Sequence, residues 1–308
     1  MFKAPMDWQK KYEEVIHKTQ AYIQSNYWDG IDIHTLRAWL KNFKTDEEKY
    51  FSGCMLDALV FRTKEMVDSC YRHLASSLIP KFLASRHINL PNEIDEWLLN
   101  LKTGKNVPFR FIAIETIKGK PGKSGSVVAR DLRNELFLAR HLVQSPNKIP
   151  NFTSEVEAII FLDDFAGTGE QFCDFFDEIS PNLLVQSYHI AYCPLACHED
   201  AKKLIEGSYP NVTVIPVELL TKEDEFFHPL DGYFRGDKEN NIDDAKEFYL
   251  NVCEKMGLDR SDENAYLLGK GGLSLSFAFH LSTPNNNLKL YYHRPVDDSW
   301  NYLLQRGK

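Results

Sequence analysis

No stretch of this sequence is apolar for long enough to cross a bilayer, and the opening MFKAPMDWQKKYEE lacks the apolar segment of a secretion signal. No membrane association is expected, and the cytoplasm is the expected compartment. Positive charge is also in short supply. The chain has 36 Lys and Arg against 44 Asp and Glu, a formal charge of −8. That balance argues against a mainly electrostatic grip on nucleic acid or an anionic surface, while leaving local basic patches open. Cysteine is sparse and scattered: Cys54, Cys70, Cys173, Cys193, Cys197 and Cys253 sit mostly among apolar neighbours. This suits buried thiols in a reducing compartment better than a disulfide framework. Internal repeats and low-complexity segments are absent too. What is present is an ordinary globular composition, 43% hydrophobic and 26% charged over 308 residues, enough for a large core and one to two domains.

Apolar residues recur at helical spacing through residues 7–25 (Trp8, Tyr12, Val15, Ile16, Thr19, Tyr22, Ile23), again from Asp32 to Phe43, and from Asp46 to about Ala84. The first hundred residues therefore read as helical, and Pro91 with the run 102–106 separates them from a different texture. FRFIAIETI (Phe109–Ile117) reads as a strand, followed by the loop KGKPGKSGS and a helix from about Val128 to Val143. IIFL is the next strand, Gln171–Ile179 a helix, LLVQSYHIAYC a strand, His198–Gly207 a helix and Val212–Leu220 a strand. Alternation of this kind predicts an α/β fold, a mostly parallel sheet with helices on both faces. The expected division is an N-terminal helical region at 1–105, an α/β core at 106–220, and a C-terminal cap at 221–308 packed on that core. A helix near Asp243–Lys255 is expected within the cap.

The stretch IIFLDDFAGTGEQF (Ile159–Phe172) concentrates the chemistry. Ligands of open α/β sheets bind beyond the carboxyl ends of the strands, and Asp163 and Asp164 fall at such an end. Gly167, Thr168 and Gly169 then open a helix. Glycines allow successive N–H groups to curl into one concavity, and the helix terminus favours phosphate there. An acidic pair can accept the protons of a diol or hold Mg²⁺ through oxygen. Diol and phosphate side by side describe a ribose 5-phosphate.

A hydrophobic strand, two acids, two small or apolar residues and a TG turn opening a helix resemble the phosphoribosyl-pyrophosphate motif of type I phosphoribosyltransferases. The chain is also similar to the phosphoribosyltransferase-like proteins of bacterial conflict systems, some encoded beside retron reverse transcriptases. The shared features are the helical front, the loop Lys123-Ser124-Gly125, the DDFxGTG core and the terminal TPNNNLKLYYH. The resemblance implies that Asp163 and Asp164 contact ribose hydroxyls, as the catalytic and metal-holding pair. It implies that Gly167, Thr168 and Gly169 hold the 5-phosphate, and that Lys120, Lys123 and Ser124 lie over the pyrophosphate with Mg²⁺. It further implies a role in anti-phage defence, with a reverse transcriptase complex or other defence proteins as partners. Two positions depart from the pattern: Gln171 stands where a hydroxyl residue usually closes the phosphate loop, and Gly167 where purine enzymes often carry aspartate. These departures keep open a catalytically inactive, nucleotide-sensing or partner-binding module.

A P-loop NTPase is the further alternative, from Gly122-Lys123-Ser124 and IIFLDD. Its phosphate loop needs a glycine where this chain has Ile117, and it leaves GTG unexplained. Among smaller signals, Lys118, Lys120 and Lys123 form a lid or a plain solvated loop, with Arg130 and Arg133 behind. Cys193, Cys197 and His198 invite zinc but read better as buried thiols after a strand. His228 and Arg235 read as loop residues packed by phenylalanines, or as part of a cap over a base. Asn285 and Asn286 make a turn or approach the site. The front helices read as a packing layer or protein interface, since acids dilute their basic residues.

Overall fold

The computed structural model describes residues 1–114, 124–179, 188–230, 232–295 and 299–306. The chain forms two compact units, one from Met1–Lys64 with Thr221–Lys308 and one from Glu65–Leu220.

In the first unit, the helices are α1 (Trp8–Gln24), α2 (Ile33–Leu40) and α3 (Asp46–Ala58). Asp32 caps α2 by accepting the Thr35 N–H at 2.7 Å. Thr45 and Glu48 form a reciprocal capping box at the start of α3. Instead of continuing as helix, the chain then forms the short strand β1 (Val60–Arg62). Its partner comes from the far end of the sequence. The chain ends thus share one core, in which Phe51 meets Phe226 and Phe234, and the Tyr291 hydroxyl donates to the Met55 carbonyl at 2.6 Å.

The second unit begins with α4 (which starts at Lys64 and runs to His73), a short π-helical stretch, α5 (Ile79–Ser85) and α6 (Ile94–Thr103). Next come β2 (Phe109–Ala113), α7 (Ser124–Leu136), β3 (Val143–Gln144), β4 (Ala158–Ala166) and α8 (Glu170–Glu178). The series closes with β5 (His189–His198), α9 (Glu199–Ser208), β6 (Val212–Val214) and β7 (Glu218–Leu220). The remaining elements belong to the first unit: α10 (Ile242–Lys255) and β8 (Phe277–Phe279), the parallel partner of β1.

The sheet of the second unit has the order β3-β2-β4-β5-β6, with β7 also on β5, and every pairing among the described residues is parallel. The α/β expectation therefore holds. From β2 the chain crosses to β3 on one side, and from β4 to β5 on the other, so the strand order reverses between β2 and β4. Right-handed crossovers in opposite directions place α7 on one face and α8 and α9 on the other. On the latter face Ile159, Phe161, Phe172, Phe175, Phe176, Tyr192 and Ile205 share one core.

β6 and β7 are one edge strand in a single register, linked through Ile215-Pro216-Val217. Ile215 N–H donates to Tyr192 O at 2.8 Å and Val217 N–H to Pro194 O at 3.2 Å. Between them Pro194 has no N–H to return, and there the regular pairing breaks.

Candidate functional site

Asp163 and Asp164 lie near the carboxyl end of β4, beside the point where the strand order reverses. This is the position at which open α/β sheets gather ligands. Gly125, at the start of α7, allows close packing there: a Cβ on it would stand 2.7 Å from Ile114 O and 3.2 Å from Leu162 O. The ends of β2 and β4 and the beginning of α7 thus converge on one rim.

Asp163 is fully buried. Its Oδ1 accepts the Asp164 N–H at 3.0 Å, while Oδ2 accepts the Tyr192 hydroxyl at 3.1 Å and Gln171 Nε2 at 3.2 Å. Burial, and then the neighbouring Asp164 carboxylate, push its carboxyl well above the usual range. The Tyr192 ring stacks on Phe172 at 4.3 Å between centroids, which fixes its hydroxyl toward Asp163. Burial and the charge of Asp163 push that hydroxyl upward, so Tyr192 remains a neutral donor. Asp164 is 7% exposed, the nearer of the two to solvent, and its Oδ1 accepts the Phe165 N–H at 2.9 Å.

After β4 come Gly167 (buried), Thr168 (half-buried) and Gly169 (buried). Gly169 has φ +84°, a left-handed conformation, and a Cβ there would meet Ala201 O at 3.1 Å and Ala201 Cα at 3.2 Å. No side chain caps the start of α8, which opens directly after this glycine turn. The acids, the glycine turn and Gln171 are therefore brought together. Ser124 begins α7, whereas Lys118, Lys120, Gly122 and Lys123 lie outside the described residues. Of the cations placed behind the lysine loop, Arg130 is exposed and paired with Asp131 at 3.0 Å, and Arg133 is half-buried.

Asp163 is fully buried and its oxygens already accept three hydrogen bonds, two of them on Oδ2. Asp164 is the carboxylate that fits a hard cation, in the manner of Mg²⁺ held by one or two carboxylates and the substrate's phosphates.

At the rim, Tyr192, Tyr71 and the part played by Gln171 escaped the sequence. Tyr192 and Gln171 hold Asp163, and no local motif links Tyr192 to it. Tyr71 of α4 is the third: its buried hydroxyl has no hydrogen-bond partner among the described residues. Burial and the charges of Asp131, Asp68 and Asp164 push it upward.

Other candidates lie elsewhere in the structure. Cys193 and Cys197 are buried within β5, not after a strand, and burial pushes the Cys197 thiol up to about 12. His198 caps α9 by accepting the Asp200 N–H at 3.2 Å. In the first unit, His228 is half-buried beside Phe226 and Phe227, and Arg235 is exposed. Asn285 and Asn286 pair with Lys270 in the same unit: Asn285 O accepts the Lys270 N–H and Asn286 Nδ2 donates to Lys270 O, both at 2.8 Å, while Asn287 holds the turn by donating to Pro284 O at 2.8 Å.

Among the described residues no helix is long and apolar enough to cross a membrane. No curated protein matches the sequence. Among solved structures the chain is similar to an orotate phosphoribosyltransferase from Aeropyrum pernix, with 14% identity and a TM-score of 0.24 over 53% of this chain and 73% of that one. The sequence model of the family described as PRTase-CE matches residues 36–306. A match over most of the sequence, on a parallel α/β sheet with an acidic pair and glycine turn at its switch point, means that the chain belongs to the PRTase-CE family of phosphoribosyltransferase-like proteins.

Proposed function

We propose that the rim at the end of β4 binds a ligand carrying a ribose 5-phosphate, such as phosphoribosyl pyrophosphate or a nucleotide. The observation that carries this reading is the buried acidic pair lying next to a glycine turn that opens an uncapped helix. On this reading Asp164 accepts ribose hydroxyls, and Asp163, braced by Tyr192 and Gln171, backs it. The N–H groups from Gly167 to Gln171, with the Thr168 hydroxyl, take the 5-phosphate. Mg²⁺ accompanying the diphosphate would be held by Asp164 and would neutralise the leaving group, and Lys120, Lys123 and Ser124, which follow β2 in sequence, would cover the diphosphate. If the chain turns substrate over, the bond from C1 to the pyrophosphate oxygen breaks, the leaving group keeping the electron pair, and a ring nitrogen of a base forms the new bond to C1. The carboxylates then stabilise the positive charge that develops on the sugar.

Calorimetry with phosphoribosyl pyrophosphate and Mg²⁺ tests the pocket. Heat in the wild type that falls at least tenfold in affinity in Asp164→Asn is expected, and no heat in the wild type ends the reading. Chromatography after incubation with nucleotides and free bases tests turnover. Binding without product favours the second reading, a nucleotide-sensing module, for which Gln171 in place of a hydroxyl residue speaks: here it is engaged with Asp163. ATP hydrolysis that disappears in Lys123→Ala would instead favour the P-loop alternative.

The resemblance to conflict-system proteins supports a place in a bacterial anti-phage, retron-type system. Co-purification with a reverse transcriptase encoded beside it, and loss of phage protection in Asp164→Asn, are the expected results.

A further inference from the structure

The terminal stretch that includes KLYYHR, unused by the rim on β4, lines a cavity of about 500 Å³ in the first unit. Lys289, Arg294 and Arg306 face it, with His293, Tyr292 and Tyr302. Among the described residues no carboxylate lines it, in a chain whose formal charge is −8. The cations are held close together by their scaffold. Lys289 Nζ stands 5.0 Å from the centroid of the Tyr292 ring and the Arg306 guanidinium 5.8 Å from the same ring, while Arg294 stands 5.5 Å from that of Tyr302.

Backbone bonds fix both walls. Leu303 and Leu304 N–H groups donate to Tyr291 O at 2.8 and 2.9 Å, His293 N–H donates to Lys289 O at 2.9 Å, and Thr283 Oγ1 donates to Gln305 O at 2.8 Å. Two cations over one ring gain only part of what an anion would supply. Consistent with this, burial, and then the charge of Arg306, hold the Lys289 ammonium below its ordinary value.

We propose that this cavity is a second ligand site, one that takes the phosphate groups of a nucleotide. A preformed cluster of like charges with no carboxylate beside it among the described residues is relieved by an anion. Guanidinium forks match phosphate oxygens in pairs, and the lysine adds a point charge. The volume lies within the range of small-molecule pockets and suits one nucleotide. A nucleic acid needs a tract of basic surface along its backbone, which a chain of formal charge −8 does not favour. The site lies in a different unit from the acidic rim and does not depend on it.

Titration calorimetry of the full chain with ATP and with sodium tripolyphosphate tests the proposal, using wild type and the double variant Arg294→Ala/Arg306→Ala. Both substituted side chains are exposed, so the variant should fold; its melting temperature checks this. Because the rim on β4 is itself read as taking a nucleotide, the comparison is made in the Asp164→Asn background, where saturable binding of both probes is expected and is weakened at least tenfold by adding Arg294→Ala/Arg306→Ala and by raised salt. Absence of heat in Asp164→Asn overturns the proposal, as does undiminished affinity when Arg294→Ala/Arg306→Ala is added to Asp164→Asn. Binding of tripolyphosphate without ATP overturns the nucleotide assignment. Binding of a single-stranded oligonucleotide in the absence of either small probe overturns it in favour of a nucleic-acid surface.

Discussion

Asp163 shows how a single carboxyl can report on its surroundings. Its folded-state pKa lies above the unfolded value of about 4. The group therefore favours the folded chain fully below that unfolded value, and the contribution is lost as pH rises through the folded pKa. Asp163→Asn removes this loss. The melting temperature of the variant relative to wild type should therefore climb between pH 5 and pH 8. A difference that stays flat or shrinks across that range contradicts the assignment. The acids and the glycine turn were legible because they are contiguous in sequence. Tyr192 was not, because only the β4–β5 pairing brings its hydroxyl to Asp163. Gln171 looked like a departure from a phosphate loop; its amide has a different engagement, with the buried acid.

Among the elements, α8 depends on Gly169 at its entrance. Alanine there has to adopt a positive φ at a cost of roughly 1–2 kcal/mol and press its Cβ against the backbone of α9. Gly169→Ala should lower stability by at least about 1–2 kcal/mol in urea unfolding with an unchanged slope, and should also weaken phosphoribosyl pyrophosphate binding by tilting α8. Wild-type stability in the variant would mean that the turn relaxes without strain. The long amphipathic helices were readable from their period. β1 was not, since three residues, Val60-Phe61-Arg62, following a helix and preceding another carry no alternation of their own. β5 reads as ending at Cys193 because Pro194 resembles a stop; the strand passes through it because its missing N–H faces the break in the edge strand.

At the level of the whole molecule, the joining of residues 1–64 to 221–308 had no local signature, since it rests on contacts between the two ends of the chain. It predicts that a chain stopped at Leu220 leaves Phe51 and Met55 without Phe226, Phe234, Tyr249 and Tyr291. Such a truncation should accumulate as insoluble protein, and a soluble monomer with a native circular dichroism spectrum would count against a shared core. The outermost strand carries a different consequence. Because Ile215 and Val217 direct their N–H groups inward to β5, the ring of Pro216 occupies the outward position, where a neighbouring chain would seek a donor. Pro216→Thr should therefore melt like the wild type yet scatter more light as concentration rises, for the proline guards the molecule against templating its own copies into a growing fibre.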